Sequence, residues 1–436
     1  MPNYLAPGVY VQEVPSGARS IGRVNTSIAA FIGVAPLASA RLDEAVVIDN
    51  YPQFAQMYVG DSTSGTVLAN AVYGFFEEGG GRCYVVNIGP HGSLTGTSAK
   101  PTGLKLLEAI DDISMVAAPG YADAEAFAAL IGHCEHPLRQ DRMAILDTVE
   151  LVSDISALTR VATVEASDPR SGTPAPGRGE GAAPGPIEAE GADAEPGSTQ
   201  PTPPAPKVAG TELALGSPQS LGGYAAMYYP WLRIKDVVTG NIVSQPPSGH
   251  IAGVWARVDG SRGVHKAPAN EPIRNALGLV HRISRGEQEV LNPAGVNCIR
   301  YFAAEGTLVW GTRTRAAEAS PYRYIPVRRL TNMIKESIAD GTRWCLFEPN
   351  NFTLWRSIHR EISEFLTGVW RDGGLLGRTP QEAFFVQCDA ITNPPDVRDA
   401  GQVIAIVGIA PVKPAEFVIF KVMQSADITE IQNVGA

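Results

Sequence analysis

The stretch SIAAFIGVA, at residues 27–35, decides how the first half of the chain folds. It is short and apolar at both odd and even positions, which is typical of a strand that is covered on both faces. Similar runs follow as RCYVVNI at 82–88, SMVAA at 114–118 and MAILD at 143–147. We therefore expect four buried strands in this part of the chain.

Helical patterns alternate with these strands, at residues 66–78, 123–135 and 151–164. In the first of them, apolar residues recur at the spacing of one helix face until Gly79 ends the pattern. Alternation of strands and helices predicts a mostly parallel sheet with helices packed on its faces. The predicted fold class is therefore α/β.

The second half of the chain continues with aromatic strands, long helices and a β-rich end. YAAMYYPWLRI, at 224–234, predicts one aromatic-rich strand, and GHIAGVWARVD, at 249–259, predicts a helix. Further helices are predicted where apolar residues keep helical spacing, at 327–339 and 352–370. The β-like segments at the end are AFFVQCDA at 383–390, QVIAIVGIA at 402–410 and EFVIFKVMQ at 416–424, the last with the apolar faces of a central strand.

Length and charge limit the class of protein. The chain has 436 residues and a mass of 46.2 kDa, enough for two or three domains. It carries 35 Lys and Arg against 45 Asp and Glu, and its net charge of −10 is repelled by phosphate backbones. The apolar runs at 28–35 and 403–412 are far shorter than the roughly 18 residues a membrane span needs, and MPNYLAPGVY, at 1–10, shows no basic region followed by an apolar one, as a signal peptide would. We expect no nucleic-acid partner, no membrane insertion and synthesis in the cytoplasm.

Residues 168–210 interrupt the strand and helix pattern. They hold ten of the 34 prolines and no aromatic residue, with Ile187 and Val208 as the only branched aliphatic side chains. Such a segment cannot bury enough apolar surface to offset the entropy of ordering it. We expect a flexible, partly polyproline II insertion on the surface that acts as a solvated spacer, with a displayed recognition loop as the alternative.

The two ends of the chain are both competent to form strands. PGVYVQEV, at 7–14, is cut off from the following domain by Pro15, Ser16 and Gly17, and DITEIQNV, at 427–434, is a short segment with Ile428, Ile431 and Val434. Two such arms on one body are suited to adding strands to the sheets of neighbouring subunits. Spacing alone leaves open whether they pair within their own chain. The residues predicted to form these inter-subunit arms are Pro7, Gly8, Val9, Tyr10, Val11, Gln12, Glu13, Val14, Ile428, Ile431 and Val434.

Motifs for nucleotide binding and hydrolysis are missing from the sequence. It contains no G-x-x-x-x-G-K-[ST] loop, no G-x-S-x-G elbow and no H-E-x-x-H. Asp147, Ser248 and His250 could be imagined as a Ser-His-Asp set, but Ser248 directly precedes a helical pattern and is better interpreted as its N-terminal cap. We expect neither catalysis nor a cofactor.

The sequence also offers little for a metal ion. His133 and His136 lie at a helix end closed by Pro137, and two histidines alone are incomplete coordination. The cysteines are odd in number and form no C-x-x-C pair, so we expect buried thiols in a reducing compartment. The five positions are Cys83, Cys134, Cys298, Cys345 and Cys388.

Beyond these general patterns, the chain resembles the sheath proteins of contractile phage tails and of phage-tail-like contractile injection systems. The resemblance extends from about Tyr4 to Met423, apart from the insertion. The second half is most similar to sheaths of extracellular injection systems. The motifs that carry the resemblance are PGVYVQEV (7–14), TSIAAFIGVAP (26–36), GGGRCYVVNI (79–88), PSGHIAGVWARVDGSRGVHKAPAN (247–270), NPAGVNCIRYF (292–302), YIPVRRLTNMIKESI (324–338), GTRWCLFEPNN (341–351), TNPP (392–395) and GIAPVKPAEFVIF (408–420).

This resemblance implies a fold and a division into domains. The implied fold has a subtilisin-like α/β core without protease activity and a C-terminal α+β sheath domain. It also implies that both arms add strands to neighbouring subunits, while the insertion falls outside the family pattern. The predicted boundaries are 1–20 for the N-terminal arm and linker, 21–167 and 211–318 for the two parts of the core, 168–210 for the insertion, 319–424 for the sheath domain and 425–436 for the C-terminal arm.

The resemblance further implies a function. Similar sheaths polymerise helically around an inner tube and contract to drive that tube through a target envelope, without a nucleotide. The implied partners are further copies of the chain, the inner tube protein, and baseplate and terminator proteins, in a particle released from the cell. The sheath of a true bacteriophage or prophage, a non-contractile surface polymer and a subtilisin-like hydrolase are the alternatives.

Overall fold

A computed structural model describes residues 20–159, except Leu138 and Ser153, and residues 219–417. Both predicted arms and the insertion at 168–210 lie outside the described residues. The strands are β1 Ala29–Gly33, β2 Ala45–Ile48, β3 Cys83–Asn87, β4 Met115–Ala117, β5 Met143–Asp147, β6 Ala225–Tyr229, β7 Leu232–Lys235, β8 Ile242–Gln245, β9 Glu271–Pro272, β10 Gly278–Leu279, β11 Val296–Phe302, β12 Gly306–Trp310, β13 Phe384–Gln387 and β14 Ile406–Ile409. The helices are α1 Tyr51–Phe54, α2 Val67–Glu77, α3 Ala124–Glu135, α4 Ser248–Arg262, α5 Arg285–Leu291, α6 Ile325–Gly341, α7 Phe352–Arg371, α8 Pro380–Ala383 and α9 Pro395–Asp399. Three 3₁₀ helices, Gly103–Ala109, Ile155–Thr159 and Arg343–Cys345, and a π-helix, Ala55–Val59, complete the described elements.

A nine-stranded sheet forms the centre of the molecule, in the order β2-β3-β1-β4-β5-β6-β11-β12-β9. From β3 to β11 every neighbouring pair is parallel, and antiparallel strands close both ends. The four strands predicted from the first half of the chain are β1, β3, β4 and β5, and all lie in the parallel block. The predicted α/β class is confirmed.

Helices cover the sheet on both faces. On one face α2 and α4 pack with Phe31, Phe75 and Trp255 in a fully buried core, where the rings of Phe31 and Phe75 meet edge to face with centroids 5.4 Å apart. Gly249 and Gly253 let α4 approach α2 closely, since an added Cβ would lie 2.4 Å from the Ala71 carbonyl oxygen and 2.5 Å from that of Phe75. On the other face α3 covers the sheet within a second buried core.

Two sequence predictions in this region are wrong. The helix predicted at 151–164 is, in its described part, only the 3₁₀ helix Ile155–Thr159, and the Asp154 carboxylate caps its start by accepting the N–H of Ser156 at 2.9 Å. The single strand predicted at 224–234 is two strands in different sheets. Pro230 has no N–H to continue the ladder, so β6 ends at Tyr229 and β7 starts a three-stranded sheet with β8 and β10.

The C-terminal part has its own core. The helices predicted at 327–339 and 352–370 are confirmed as α6 and α7, which pack through apolar side chains at helical spacing. β13 precedes α9 and β14 follows it, and these two strands pair in a separate two-stranded sheet. Of the β segment predicted at 416–424, residues from 418 onward lie outside the described residues. The domain boundaries themselves stay predictions.

A buried ion pair joins this C-terminal part to the α/β core. The Arg329 guanidinium of α6 donates to both carboxylate oxygens of Asp259 in α4, at 2.8 and 2.5 Å, and stacks 4.7 Å from the Trp255 ring centroid. It also donates to the Thr26 carbonyl oxygen at 2.8 Å. Three separate segments of the chain are thereby fixed to one another.

Candidate functional site

The two-stranded sheet of β13 and β14 is the feature of the fold that is left incomplete. Its strands are antiparallel, with Phe384 opposite Ile409 and Gln387 opposite Ile406. Within the described ranges 20–159 and 219–417, no third strand pairs with either outer edge. A two-stranded sheet is marginal by itself, and its unpaired N–H and C=O groups are a template for another strand.

The inner face of this sheet is packed and its outer face is not. Val386 and Val407 lean on α7 as part of the C-terminal core. On the outer face, Phe385 is 57% exposed and Ile406 is 47% exposed. The Phe385 ring lies over Gly408, where an added Cβ would approach it to 2.1 Å. Among the residues that the structure describes, the sheet therefore has two open edges beside an uncovered apolar face.

The connection between β13 and β14 is held in one conformation by Asn393. Its amide nitrogen donates to the carbonyl oxygens of Asp389 and Ile404, both at 3.0 Å, and its amide oxygen accepts the Ile404 N–H at 2.7 Å. The Asp389 carboxylate accepts the N–H groups of Ile391 and Thr392, and these backbone hydrogen bonds lower its pKa. The two strands are thus fixed to one another at the closed end of the sheet.

The chain that leaves β14 is anchored before its C-terminal segment begins. Ala410 and Val412 make backbone hydrogen bonds with Leu376 and Gly374, and Glu416 then meets Arg313 of the α/β core. Both carboxylate oxygens of Glu416 accept from Arg313 Nε, at 2.9 and 3.0 Å, and both side chains are nearly buried. This ion pair holds the last described residues of the chain against the α/β core.

The residues predicted to form the inter-subunit arms, Pro7 to Val14 with Ile428, Ile431 and Val434, lie outside the described residues and stay predictions. Sequence reasoning identified β13 and β14 as strands but missed that they stand apart from the main sheet as an open pair. No sequence motif predicts that β13 and β14 form a separate sheet, because this depends on which other strands lie beside them in the folded chain.

The imagined Ser-His-Asp set is only partly assembled. Ser248 Oγ donates to the Asp147 carboxylate at 2.6 Å, and the Ser248 N–H donates to it at 2.8 Å. Neither ring nitrogen of the buried His250 has a hydrogen-bond partner among the described residues, and the ring packs against Gly74. A nucleophilic serine must hydrogen-bond its base, and here it donates to a carboxylate.

The prediction that Ser248 caps α4 is also wrong. Ser248 is the first residue of the helix, and Pro247 stands at the cap position without a side-chain hydrogen bond. Asp147, at the end of β5, takes the capping role because its carboxylate accepts the N–H groups of both Ser248 and Gly120. Burial raises the pKa of Asp147 to about 6, although these hydrogen bonds act in the opposite direction.

The histidine and cysteine side chains that the sequence offered as metal ligands or reactive groups are mostly buried in the packed interior. His133 is buried, and desolvation lowers its pKa to about 4. The part of the chain that the structure describes has no group of three His, Cys, Asp or Glu side chains placed to hold a metal ion. Cys83, Cys134, Cys298 and Cys388 are buried free thiols, as predicted, and Cys345 is half-buried. None of the described helices is both long and apolar enough to span a membrane.

Two family models match the second half of the chain. The model of the phage tail sheath protein central domain matches residues 220–315, and that of the phage tail sheath C-terminal domain matches residues 317–425. The tail sheath proteins of Vibrio phage KVP40 and Enterobacteria phage T4 are 30% identical over 192 residues and 27% identical over 184 residues. These alignments take in 43% and 42% of this chain but only 28% and 27% of the two relatives, so the chain matches about a quarter of their length.

Solved structures match over nearly the whole chain. The sheath complex of an extracellular contractile injection system, PVC, in its contracted state has a TM-score of 0.70 at 28% identity, and the match covers 98% of this chain and 99% of that one. The helical sheath of the anti-feeding prophage, also contracted, has a TM-score of 0.68 at 28% identity, with 97% and 100% covered. The similarity therefore includes both the α/β core and the C-terminal part with its open sheet.

Proposed function

The chain belongs to the contractile phage tail sheath family, and from this premise we propose that it is a structural sheath subunit. It polymerises helically around an inner tube, and contraction of the polymer drives that tube through the envelope of a target cell. The observation that carries the proposal is the β13–β14 sheet, whose two outer edges are unpaired within the described part of a body whose fold matches sheath subunits. Such edges fit a protein whose sheet is completed by other copies of itself.

The arms supply the missing strands. Residues 7–14 and the C-terminal arm with Ile428, Ile431 and Val434 are two strand-competent segments, and the sheet has two edges. Main-chain hydrogen bonds give such an added strand its affinity, and they survive changes of angle between the bodies if the linkers bend. Each copy thus donates strands to neighbours and accepts strands from them.

Helical growth follows from this exchange. A head-to-tail contact that does not close on itself extends into a filament, so one kind of subunit forms a long tube. Each body moves as a unit because Arg329 and Asp259 fix the C-terminal part to the core. Repacking between bodies supplies the energy of contraction, and a few kcal/mol per subunit suffice because many copies act together.

The remaining aspects of the function follow the same proposal. The subunit has no catalytic role, and the hydrogen bond of Ser248 to a carboxylate supports this. Its partners are other copies, the inner tube protein, and baseplate and terminator proteins. The assembled particle acts outside the cell that makes it, as a contractile injection system or as a phage tail.

Deletion of residues 1–15 tests the proposal. We expect a folded monomer that forms no tubes, because every neighbour loses a donated strand, while the intact chain forms striated hollow tubes in negative-stain micrographs. Circular dichroism and thermal unfolding check that the truncated chain is folded. Tubes of normal length from the truncated protein would contradict the role of the arm, and the absence of tubes from the intact protein would contradict the sheath function.

A further inference from the structure

Two of the free thiols lie near each other in the C-terminal part, although they are distant in sequence. Cys345 ends the 3₁₀ helix that follows α6, and Cys388 directly follows β13. Cys388 is buried in the apolar core of this part, and the half-buried Cys345 packs against the same core. Burial raises the pKa of Cys345 to about 11, and the charges of Glu361 and Cys388 add to this effect. Because interactions between charges weaken with distance, the last contribution places the two sulfur atoms close to one another.

The segments that carry the two cysteines are joined by hydrogen bonds. Cys345 lies in the α6–α7 connection, residues 342–351, and Cys388 begins the β13–β14 connection, residues 388–405. The side-chain amide nitrogen of Asn350, in the first connection, donates to the Gln402 carbonyl oxygen, in the second, at 2.8 Å. The amide oxygen of Asn350 accepts the indole N–H of Trp355 at 2.8 Å, which ties the contact to α7. The two connections are therefore held against each other.

A groove gives small molecules access to Cys388. It lies between the first half of α7 and residues 386–389, and Cys388 forms part of its wall. The groove encloses about 620 Å³, within the range of sites that hold ligands of several hundred daltons. Arg356 and Arg360 line it as well, and their guanidinium groups attract carboxylates. Burial raises the pKa of Cys388, whereas the hydrogen bond that the Asn393 amide donates to its sulfur at 3.9 Å lowers it and favours the thiolate.

The α6–α7 connection is able to shift by the small distance that a bond requires. A disulfide needs two Cβ atoms about 3.5–4.5 Å apart. Residues 346–349 are exposed and belong to no described helix or strand, so their movement disturbs little packing. The two sulfur atoms can therefore approach without a change in α6, α7 or the sheet.

We propose that Cys345 and Cys388 form a modification site, which a small disulfide such as oxidised glutathione converts into an internal disulfide bond. Cys388 loses its proton to solvent, and its thiolate attacks one sulfur of the oxidant, whose S–S bond breaks and releases one molecule of thiol. The Cys345 thiolate then attacks the Cys388 sulfur and releases the second. The two cysteines give up two electrons and two protons, which the two released thiols carry away.

The bond fastens the α6–α7 connection to the closed end of the β13–β14 sheet. A chain made in a reducing compartment keeps both thiols free, and the oxidising medium outside a cell supplies the conditions for the bond. That the chain meets such a medium rests on the proposed function. The reaction itself does not, because it takes place within one chain.

Incubation of the full-length protein with oxidised glutathione tests the site. We expect trypsin then to release two peptides, 344–356 and 379–398, joined by a disulfide that dithiothreitol separates, and mass spectrometry identifies the pair. The rate of formation should rise about tenfold for each pH unit near neutrality, because only the thiolate reacts and most of each thiol is protonated there.

Substitutions separate the two steps. Cys345→Ser leaves the first attack possible and removes the second thiol, so we expect this variant to keep one glutathione on Cys388. Cys388→Ser should form no linked pair and take up glutathione several-fold more slowly. Cys298→Ala is the matched control, since it removes another buried free thiol, in β11, and should leave the linked pair unchanged.

Two results would overturn the proposal. One is the absence of the linked peptides from the oxidised native chain, and the other is a bond from either cysteine to Cys83, Cys134 or Cys298. Both are measured on the native chain, so neither depends on whether a variant folds. Neither depends on tube formation, so a chain that forms tubes without the disulfide contradicts this site alone, and a chain that forms the disulfide without tubes contradicts the sheath function alone.

Discussion

At the scale of single residues, the most informative positions are buried polar groups with no catalytic arrangement. Asp147 reaches across from β5 to hold the start of α4, a role that requires an acceptor and no proton transfer. His250, two residues into that helix, is fully buried with neither ring nitrogen bonded to another described residue. Both sites are structural, and they respond to pH in opposite directions.

The sign of each response follows from its pKa. Burial lowers the pKa of His250 from 6.5 to about 4. As the pH falls, the unfolded chain therefore binds a proton at His250 before the folded chain does, and the free energy of unfolding decreases between pH 6.5 and pH 4. The pKa of Asp147 is instead raised from 3.8 to about 6, so that carboxyl group adds stability as pH drops from 6 towards 4. His133 acts in the same direction as His250.

Replacement of His250 by leucine isolates its share of the acid sensitivity. Between pH 7 and pH 5 we expect the free energy of unfolding to fall by about 2 kcal/mol less in H250L than in the native chain, because one pKa unit corresponds to about 1.4 kcal/mol. Urea unfolding at the two pH values measures the difference. An equal loss in both proteins would show that His250 is not held neutral by burial.

At the scale of elements, the β13–β14 pair can be probed without disturbing its own ladder. The Ala410 N–H donates to the Ala383 carbonyl oxygen and therefore points towards the β13 side of the ladder. Because N–H groups alternate in direction along a strand, the N–H of Val407, three residues earlier, points away from β13. A proline at this position removes that outward donor and keeps an apolar side chain where Val407 packs against the C-terminal core, and edge positions tolerate proline.

Val407→Pro is therefore expected to leave the monomer folded and to prevent tube formation, because a strand can no longer pair along the outer edge of β14. Sedimentation and negative-stain microscopy measure assembly, and Val407→Thr, which keeps the N–H, is the control. Tubes in normal numbers from the proline variant would mean that this edge accepts no strand.

At the scale of the whole molecule, the buried ion pair of Arg329 and Asp259 helps to hold the core and the C-terminal part together as a single body. Arg329 and Asp259 are almost completely buried, and the pKa of Asp259 is raised by burial and lowered by Arg329. Removal of the arginine would leave a buried charge without its partner, which typically costs about 3–5 kcal/mol.

We expect Arg329→Met to lower the free energy of unfolding by about that amount, about 3–5 kcal/mol, and the double variant with Asp259→Leu to recover much of it. Denaturant titration measures both. The exposed pair of Arg343 and Asp340, 3.0 Å apart, is the control, since Arg343→Ala should change stability by less than about 1 kcal/mol. An equal change in the free energy of unfolding for Arg329→Met and Arg343→Ala would contradict the role of the Arg329–Asp259 pair in joining the core to the C-terminal part.

The fold was predictable where sequence patterns are local. β1, β3, β4 and β5 are continuous apolar runs, and α6 and α7 repeat at helical spacing, so each could be recognised from its own residues. The split at Pro230 was missed because both halves are apolar, and the capping of α4 was misassigned because its acceptor, Asp147, is distant in sequence. The similarity to sheath proteins was recognisable from motifs, whereas the partner of each sheet edge depends on other copies of the chain.

The open β13–β14 sheet also bears on how the length of the polymer is controlled. Under the proposed strand exchange, each chain carries both donor segments and acceptor edges and has no built-in stop, so free subunits above a critical concentration would polymerise wherever two of them met. Productive growth then requires that starting a new polymer be slow and that extending an existing one be fast. A ring of preassembled partners that presents the first edges would meet this requirement, and a ruler outside this chain would have to set where growth ends.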